Sequence, residues 1–550
     1  MAMAYVIAMA YGLNYYQTGN ILMNMHNLAP QPDSSKTDEG SLIDKFFSKK
    51  ECSNKCWNNI KIAGLSINSK NIRENEIFIA VRGSNLDGII YAAEAVNNGA
   101  KAIVCDKKSD IPENMLEFLR LKNIPLFKVS NPENTAAKIA KTFYPKQPEF
   151  IFAITGTNGK TTIAALTAQL LNLCGFKETA ILGTMGFLAE NRKFNKVKKE
   201  INGIIGINPL TTPDTMTLHR ILDMSYQAGV KYMIIEASSD GIMRNRIDEI
   251  EFTSCGLSNI SEDHLITHGT MKNYINAKFS LFSRLSSGKT AVYNNDNIYT
   301  KKLADYINKK LRDKNLKIIR YGITSQDSEI QIKDIKPKKN GYKIIMRIFG
   351  KKYQAEINLI GEFQLYSVMN ALGFVLSIIP KKRIEQTVNM LKKLKTVNGR
   401  MELVNKTKKG AVVYIDYAHN TASLEAALIE LRKITKGKII SVTGISSGKS
   451  ESRNDTARIA GIYADIVIFT YISPRSETAD VMIERQRKIF PQGQHGGQTR
   501  YDAIKKAVDM AEKGDSILIN GQGHERFIVE YGKPVPFYDP DIVNEIINNT

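Results

Sequence analysis

Residues 149–162 read Glu149-Phe-Ile-Phe-Ala-Ile-Thr-Gly-Thr-Asn-Gly-Lys-Thr-Thr162, and this stretch decides the fold. Its first half, Glu149 to Ile154, is a short apolar run of the kind buried in a parallel sheet. Its second half leads into Ile163, Leu166, Leu170 and Leu173, an apolar stripe at helical spacing that stops at Gly175. Between them, Gly156 and Gly159 allow a tight backbone bend whose N–H groups converge on anionic oxygens. A helix beginning near Lys160 adds its positive end, and the lysine adds a full charge. Thr161 offers a hydroxyl to a magnesium ion bridging phosphates. The loop is shorter than the common phosphate-loop pattern, because Ile154 stands where that pattern has glycine. Strand, turn and helix in this order imply ATP binding by Gly156, Thr157, Asn158, Gly159, Lys160, Thr161 and Thr162.

Working outward, 550 residues are too many for one ordinary core and suggest about three domains. A 43% hydrophobic and 24% charged composition is that of a globular chain. The net charge of +21 favours anionic partners, but the lysines are spread along the whole chain. No aromatic RNA-binding signature or zinc-finger spacing accompanies them, so a nucleic-acid partner is not expected. Five scattered cysteines argue against a disulfide framework and for a reduced cytoplasm. Met1 to Leu13 is apolar but too short to span a bilayer and has no basic n-region, so no stable membrane association is expected. An interfacial segment and a displaced start codon are both open readings of it. Gln31 to Gly40 reads as a linker.

An α/β domain follows, with strands at Ile77–Val81 and Ala102–Cys105 and a helix from Tyr91 to Asn98. Beyond the loop, Lys231 to Ser239 reads as a buried strand whose carboxyl end delivers Glu236 to the ligand-binding edge of a parallel sheet. An acid there can hold the magnesium of Mg-ATP. Ser258 to His264 and His268 to Lys278 then supply two histidines, an aspartate and a lysine in a chain with seven histidines. A lone histidine is usually structural, so either one by itself carries little.

Together these residues resemble the Mur ligases. The resemblance is carried by Gly156–Thr162, Thr211-Thr-Pro-Asp214, Glu236-Ala-Ser-Ser239, Asn259 through Lys278, Gly399-Arg-Met-Glu402, Asp416-Tyr-Ala-His419, Pro474-Arg-Ser-Glu477 and Gly521-Gln-Gly-His-Glu525, in order from about Ile62 to the C-terminus. Within the family it is similar to the type that adds the third residue of the peptidoglycan stem to UDP-N-acetylmuramoyl-L-alanyl-D-glutamate. The resemblance implies an ATP-binding parallel-sheet domain between a uridine-nucleotide-binding α/β domain and a Rossmann-like C-terminal domain. The boundaries expected are 1–40 for an unassigned tail, then 41–146, 147–396 and 397–550. It implies ATP and Mg2+ as cofactors, an ADP-forming amide ligase with a UDP-sugar dipeptide and a free amino acid as substrates, and a cytoplasmic monomer.

Residue by residue, the resemblance makes Lys160, Glu236, His264 and Lys278 catalytic. Thr161, Glu236, His264 and Lys278, the last as a carbamate formed with carbon dioxide, serve metal. Asn259, Arg400 and Asp416 join the loop around ATP. Ser69, Thr211, Thr212 and Ser238 contact the UDP-sugar substrate, and Pro474, Arg475, Glu477, Gly521 and Glu525 form the amino-acid pocket. Arg475 offers a fork for a distal carboxylate, which favours meso-diaminopimelate over L-lysine. Several positions depart from the family: Asn68 and Lys70 in the first domain, Asp240 and Ile266 near the metals, and Ile472-Ser-Pro-Arg475 where diaminopimelate enzymes have Asp-Asn-Pro-Arg. These leave open a different amino acid or a specialised paralogue, a related amide ligase of the folylpolyglutamate or cyanophycin kind, and a non-catalytic nucleotide-binding protein.

Overall fold

The computed structural model describes residues 41–48, 50–52, 60–83, 86–206, 209–263, 265–447, 451–475 and 477–549. The Met1–Leu13 segment, the Gln31–Gly40 linker and His264 lie outside them. The chain forms two compact units. One comprises the described residues up to Gln147 together with Asn191–Gly229 and Arg244–Glu249; the other comprises Pro148–Glu190, Val230–Met243 and Ile250 onward.

The first unit is built on four parallel strands, β1 (Gly64–Ser66), β2 (Glu76–Ala80), β3 (Ala102–Asp106) and β4 (Leu126–Val129), adjacent in that order. β3 is almost wholly buried, as expected for a parallel strand covered on both faces. The helix read as Tyr91–Asn98 is instead a 3-10 turn at Gly88–Tyr91 followed by a helix at Ala92–Asn97. Asp87 caps that turn by accepting from the Ile89 N–H, so the chain enters it earlier than periodicity indicates. The helices Pro132–Phe143 and Thr215–Gln227 pack together in this unit.

The second unit carries two larger sheets. The first contains β5 (Phe150–Thr155), β6 (Thr179–Gly183), β7 (Gly186–Leu188), β8 (Tyr232–Glu236), β9 (Ser254–Leu257), β10 (Thr290–Asn294), β11 (Lys317–Gly322), β12 (Ile330–Lys338), β13 (Gly341–Ile348) and β14 (Lys351–Ile357). Across the sheet they run β14-β13-β12-β11-β10-β9-β5-β8-β6-β7. The seven strands from β12 to β6 are parallel, and antiparallel strands finish both edges. β5 is central, which is why Ile151 to Ile154 read as an unbroken apolar run. The strand read as Lys231–Ser239 ends at Glu236, because the chain turns into a short helix at Ser239–Met243.

Helix α1 (Lys160–Leu173) lays its apolar stripe against α2 (Phe363–Leu376), a helix buried nearly all round. Together they fill the core over Phe152, Ile154 and Val292. The second sheet contains β15 (Glu402–Lys406), β16 (Val412–Asp416), β17 (Ile439–Ser446), β18 (Ile466–Ser473), β19 (Gln494–His495) and β20 (Ser516–Asn520), in the order β15-β16-β20-β17-β18-β19. All but β15 are parallel. A hairpin of β21 (Phe527–Glu530) and β22 (Lys533–Pro536) follows. The parallel strands of both sheets therefore have defined carboxyl edges, where α/β folds bind ligands.

Candidate active site

The loop after β5 is shaped by close approach. Gly156 has φ +148°, and a Cβ there would overlap Ser258 Oγ. Gly159 is left-handed and is the N-cap of α1, which has no side-chain cap and no acid in its first turn. The first N–H groups of α1 thus keep their capacity for an external acceptor. The segment after β9 clamps the loop. Thr157 N–H donates to Asn259 O at 2.9 Å, Asn158 N–H to Asn259 Oδ1 at 3.1 Å, and Ser258 Oγ to Asn158 O at 2.6 Å. Asn259 is therefore beside the loop.

Glu236 is 1% exposed at the end of β8. Thr161 Oγ1 donates to its Oε2 at 2.8 Å, and the Thr184 N–H donates to its Oε1 at 3.1 Å. Gly183 makes room for this, since a Cβ there would overlap the Glu236 carboxylate. Burial pushes the Glu236 carboxyl above its ordinary range, while Thr161, Lys160 and Arg400 pull it back.

Two lysines meet at one carbonyl. Half-buried Lys160 donates to Gly156 O at 2.9 Å and to Thr157 O at 3.0 Å. Lys278, 1% exposed on the helix Met271–Phe279, donates to the same Gly156 O at 2.8 Å and lies over the Tyr274 ring. Two ammonium groups this close repel by roughly 3 kcal/mol at an effective dielectric of about 20. Burial first, and the charge of Lys160 second, push Lys278 well below the ordinary lysine range, with Asp263 opposing. Burial also lowers Lys160, against Glu236 and Asp263. Thr157 Oγ1 lies 3.1 Å from the buried Tyr274 hydroxyl. His268 Nε2 lies 3.0 Å from Ser239 Oγ, and Ile266 is 80% exposed.

The second sheet of the same unit contributes another group. Asp416 at the end of β16 accepts from the Met401 and Ala418 N–H groups, each at 2.7 Å, and burial raises its carboxyl. The Arg400 guanidinium lies over the Tyr417 ring, and its charge reaches Lys160 and Glu236. Asn420 Nδ2 donates to Asn158 Oδ1 at 3.1 Å and to Asp263 Oδ2 at 3.3 Å. Lys160, Thr161, Glu236, Lys278, Asn259 and Arg400 thus form one cluster.

The amino-acid candidates lie on two segments, Pro474–Glu477 and Gly521–Glu525. Arg475, just beyond β18, is exposed and left-handed at φ +53°, a conformation uncommon outside glycine. Its N–H donates to Val529 O at 2.9 Å, and its carbonyl accepts from Tyr531, so β21 holds it there. Pro474 is buried, and Glu477 is paired with Arg485. Ile472 is buried over Gly521, where φ is +101° and any Cβ would overlap the isoleucine. Glu525 accepts from Tyr417 OH at 2.9 Å, and burial raises its carboxyl.

Three of the substrate-binding candidates belong to the first unit. Ser69 is buried and donates to Glu94, while the carbonyl of buried Thr212, next to Thr211, accepts from Arg246 Nη1 at 3.0 Å. Ser238 is in the second unit, where its Oγ accepts from the Gly241 N–H at 3.0 Å.

Sequence reasoning assigned no role to Asp263, Tyr274 or Thr184, or to the Arg500–Asp539 pair. Arg500 and Asp539 are fully buried, with Nε–Oδ1 at 2.8 Å and Nη2–Oδ2 at 2.7 Å. Arg500 also donates to Tyr471 O at 3.2 Å and Asn520 O at 3.1 Å, the ends of β18 and β20. An arginine opening a helix gives no sequence signal of this.

Comparison with known proteins matches three family descriptions in succession: "Mur ligase family, catalytic domain" over residues 61–154, "Mur ligase middle domain" over 154–375, and "Mur ligase, glutamate ligase domain" over 399–523. Among similar proteins, the UDP-N-acetylmuramoyl-L-alanyl-D-glutamate–2,6-diaminopimelate ligase of Aquifex aeolicus is 32% identical over 499 residues, covering 88% of this chain and 94% of the relative. The protein named as ligase 2 of the same kind in Clostridium acetobutylicum is 30% identical over 495 residues, covering 89% and 96%. A solved structure of a ligase with that name aligns with TM-score 0.59 at 24% identity, covering 90% of this chain and 96% of the other. The MurF ligase of Thermotoga maritima in complex with ADP aligns with TM-score 0.52 at 16% identity, covering 88% and 97%, a likeness of fold.

Proposed function

The chain belongs to the Mur ligase family, and on that premise we propose that it joins meso-diaminopimelate to the D-glutamyl carboxylate of UDP-N-acetylmuramoyl-L-alanyl-D-glutamate, with ATP converted to ADP and phosphate. The observation that carries this reading is the cluster of Lys160, Lys278, Thr161 and Glu236 around an uncapped helix N-terminus. The α1 N–H groups and Lys160 hold the β- and γ-phosphates, and Arg400 and Asp416 close over the nucleotide from the second sheet.

Thr161, Glu236, His264 and Lys278 are the residues that would hold magnesium. The donor set fits: a buried carboxylate already aligned by Thr161 and Thr184, and a lysine whose neutral amine can react with carbon dioxide. The neutral amine adds to carbon dioxide and gives up a proton to solvent, which leaves a carbamate anion where the ammonium form would repel Lys160. Bound magnesium would screen the repulsion between the substrate carboxylate and the triphosphate. The carboxylate attacks the γ-phosphorus and expels ADP, giving an acyl phosphate. The amine of the incoming amino acid then attacks the acyl carbon, and phosphate leaves. Lys160 stabilises negative charge in the first step, and closure of the second sheet over the loop excludes water.

Arg475, presented outward by its pairing with β21, is the fork for the distal carboxylate of diaminopimelate. Glu525 and Glu477 complete the pocket with Pro474 and Gly521. Ser69, Thr211, Thr212 and Ser238 serve the UDP-sugar. A division at 41–146, 147–396 and 397–550 would follow the three substrates, although Asn191–Gly229 and Arg244–Glu249 pack with the first unit. A cytoplasmic site of action fits the free thiols of Cys105, Cys174 and Cys255. It also fits the lack, among the described residues, of a helix long and apolar enough to cross a membrane.

A second reading, a different amino acid, is favoured by Ile472, which is buried over Gly521 and offers no acceptor for an ammonium group. Phosphate release with ATP, magnesium, the UDP-linked dipeptide and each amino acid in turn separates the two. Release with meso-diaminopimelate alone is expected. Release with only another amino acid replaces that choice, and none with any amino acid overturns the ligase reading.

A further inference from the structure

We infer that Asn420 is a positioning residue that couples the seating of the C-terminal sheet to the charge at the phosphate loop. The inference rests on the reading of Gly156–Thr162 as the ATP site. Asn420 follows β16 and caps the helix Thr421–Ile434, where its Oδ1 accepts from the Ser423 N–H at 3.0 Å. A helix cap needs only that oxygen. The amide nitrogen points the other way, across to the first sheet's loops, and donates to Asn158 Oδ1 at 3.1 Å and Asp263 Oδ2 at 3.3 Å. The side chain is 9% exposed, so both of its ends are used out of bulk water.

The two acceptors are not incidental. Asn158 belongs to the phosphate loop, and its backbone is already clamped by Ser258 and Asn259. Asp263 is the carboxylate that acts on both Lys160 and Lys278. Asn420 therefore donates to both Asp263 and the phosphate loop from outside their sheet. It also lies four residues after Asp416 on the segment proposed to close over ATP. With that segment in place, the donor is on Asp263. A neutral donor suits this place, because a carboxylate there would face Asp263 and a cation would compete with the lysines for it.

The test uses residues that cap equally well but differ as donors. Asn, Asp and Ser are near-equivalent N-caps. Asn420→Asp keeps the cap, removes the donor and sets two carboxylates face to face. Asn420→Ser keeps the cap but is too short to reach Asn158. Both variants keep the cap, so their rates are compared per folded protein, with thermal unfolding followed alongside. In Asn420→Asp, kcat is expected to fall by at least about tenfold, and in Asn420→Ser by less, while the KM for the amino acid moves less than about twofold. Wild-type kcat in Asn420→Asp would overturn the inference and leave the ATP site standing. Rate losses in both variants that only track lost folded protein would reduce Asn420 to a cap. Failure of the wild-type chain to turn over ATP would remove the site reading itself, and the inference with it.

Discussion

Replacing Asp539 by alanine isolates the support beneath the proposed amino-acid loop. Arg500 and Asp539 are both 0% exposed, and two charge-assisted hydrogen bonds join them. Removing the carboxylate leaves a buried guanidinium whose remaining hydrogen bonds, among the described residues, go to the carbonyls of Tyr471 and Asn520. Breaking one side of such a buried pair costs about 3–5 kcal/mol, because the orphaned charge has no water to replace its partner. For a domain of this size, each kcal/mol moves the unfolding midpoint by about 2–4 °C, so a fall on the order of 10 °C is expected.

The companion variant removes both charges, Arg500→Met with Asp539→Leu. It should recover at least half of the lost stability, since no charge is left unpaired. It should not recover the amino-acid site. Arg500 ties the end of β18, which leads into Ile472–Arg475, to the end of β20, which leads into Gly521–Glu525. Without those two carbonyl bonds the segments lose their common anchor, and the KM for the amino acid should stay raised several-fold while that for ATP changes little. Thermal and urea unfolding measure the first effect, and steady-state kinetics the second. A cost under about 1 kcal/mol for Asp539→Ala, or a double variant no more stable than the single one, would refute the reasoning.

Lys278→Ala should abolish turnover, with part of the activity returned by millimolar short carboxylic acids that supply the missing anion. Undiminished turnover would sink the carbamate assignment. Arg475→Lys should raise the KM for an acidic amino acid far more than for a neutral one, because a point charge replaces a fork; equal effects would count against the role proposed for it. In the first unit, burial lowers His219 from 6.5 to about 4, with Nε2 at 3.1 Å from Asp248 O. The unfolded chain therefore binds the proton more tightly, and stability falls as pH drops from about 6.5 through about 4, by up to about 3 kcal/mol. His219→Gln should flatten that slope in pH-dependent unfolding of the first unit, and an unchanged slope would clear His219 of it.

What the sequence made legible was local. The phosphate loop could be read because strand, turn, lysine and helix are contiguous. Glu236 could be placed because a parallel strand's last residue falls on the ligand edge wherever the strand lies. The end of that strand was overrun by three residues, because Ser239 begins a helix that the apolar pattern does not mark. Pairings across long separations were not legible. Asn420 meets Asn158 over 262 positions, and Arg500 meets Asp539 across two helices, with nothing in either neighbourhood naming the partner. The first unit recruits Asn191–Gly229, which carries Thr211 and Thr212, from beyond the phosphate loop, an excursion no linear division expresses.

The chemistry of the cluster also depends on a relation that neither motif contains alone. Read separately, Lys160 is a phosphate ligand and Lys278 a lysine on a later helix. In the fold both lysines donate to Gly156 O, and the charge of Lys160 adds to burial, the larger cause, in lowering Lys278. Lys160 must stay cationic to meet a triphosphate, so the cost of the encounter falls on Lys278, which is more deeply buried and lower in its proton affinity. A neutral amine is what carbon dioxide requires. Replacing Lys160 by a neutral residue should therefore remove both a contact to the proposed phosphates and part of what lowers the proton affinity of Lys278.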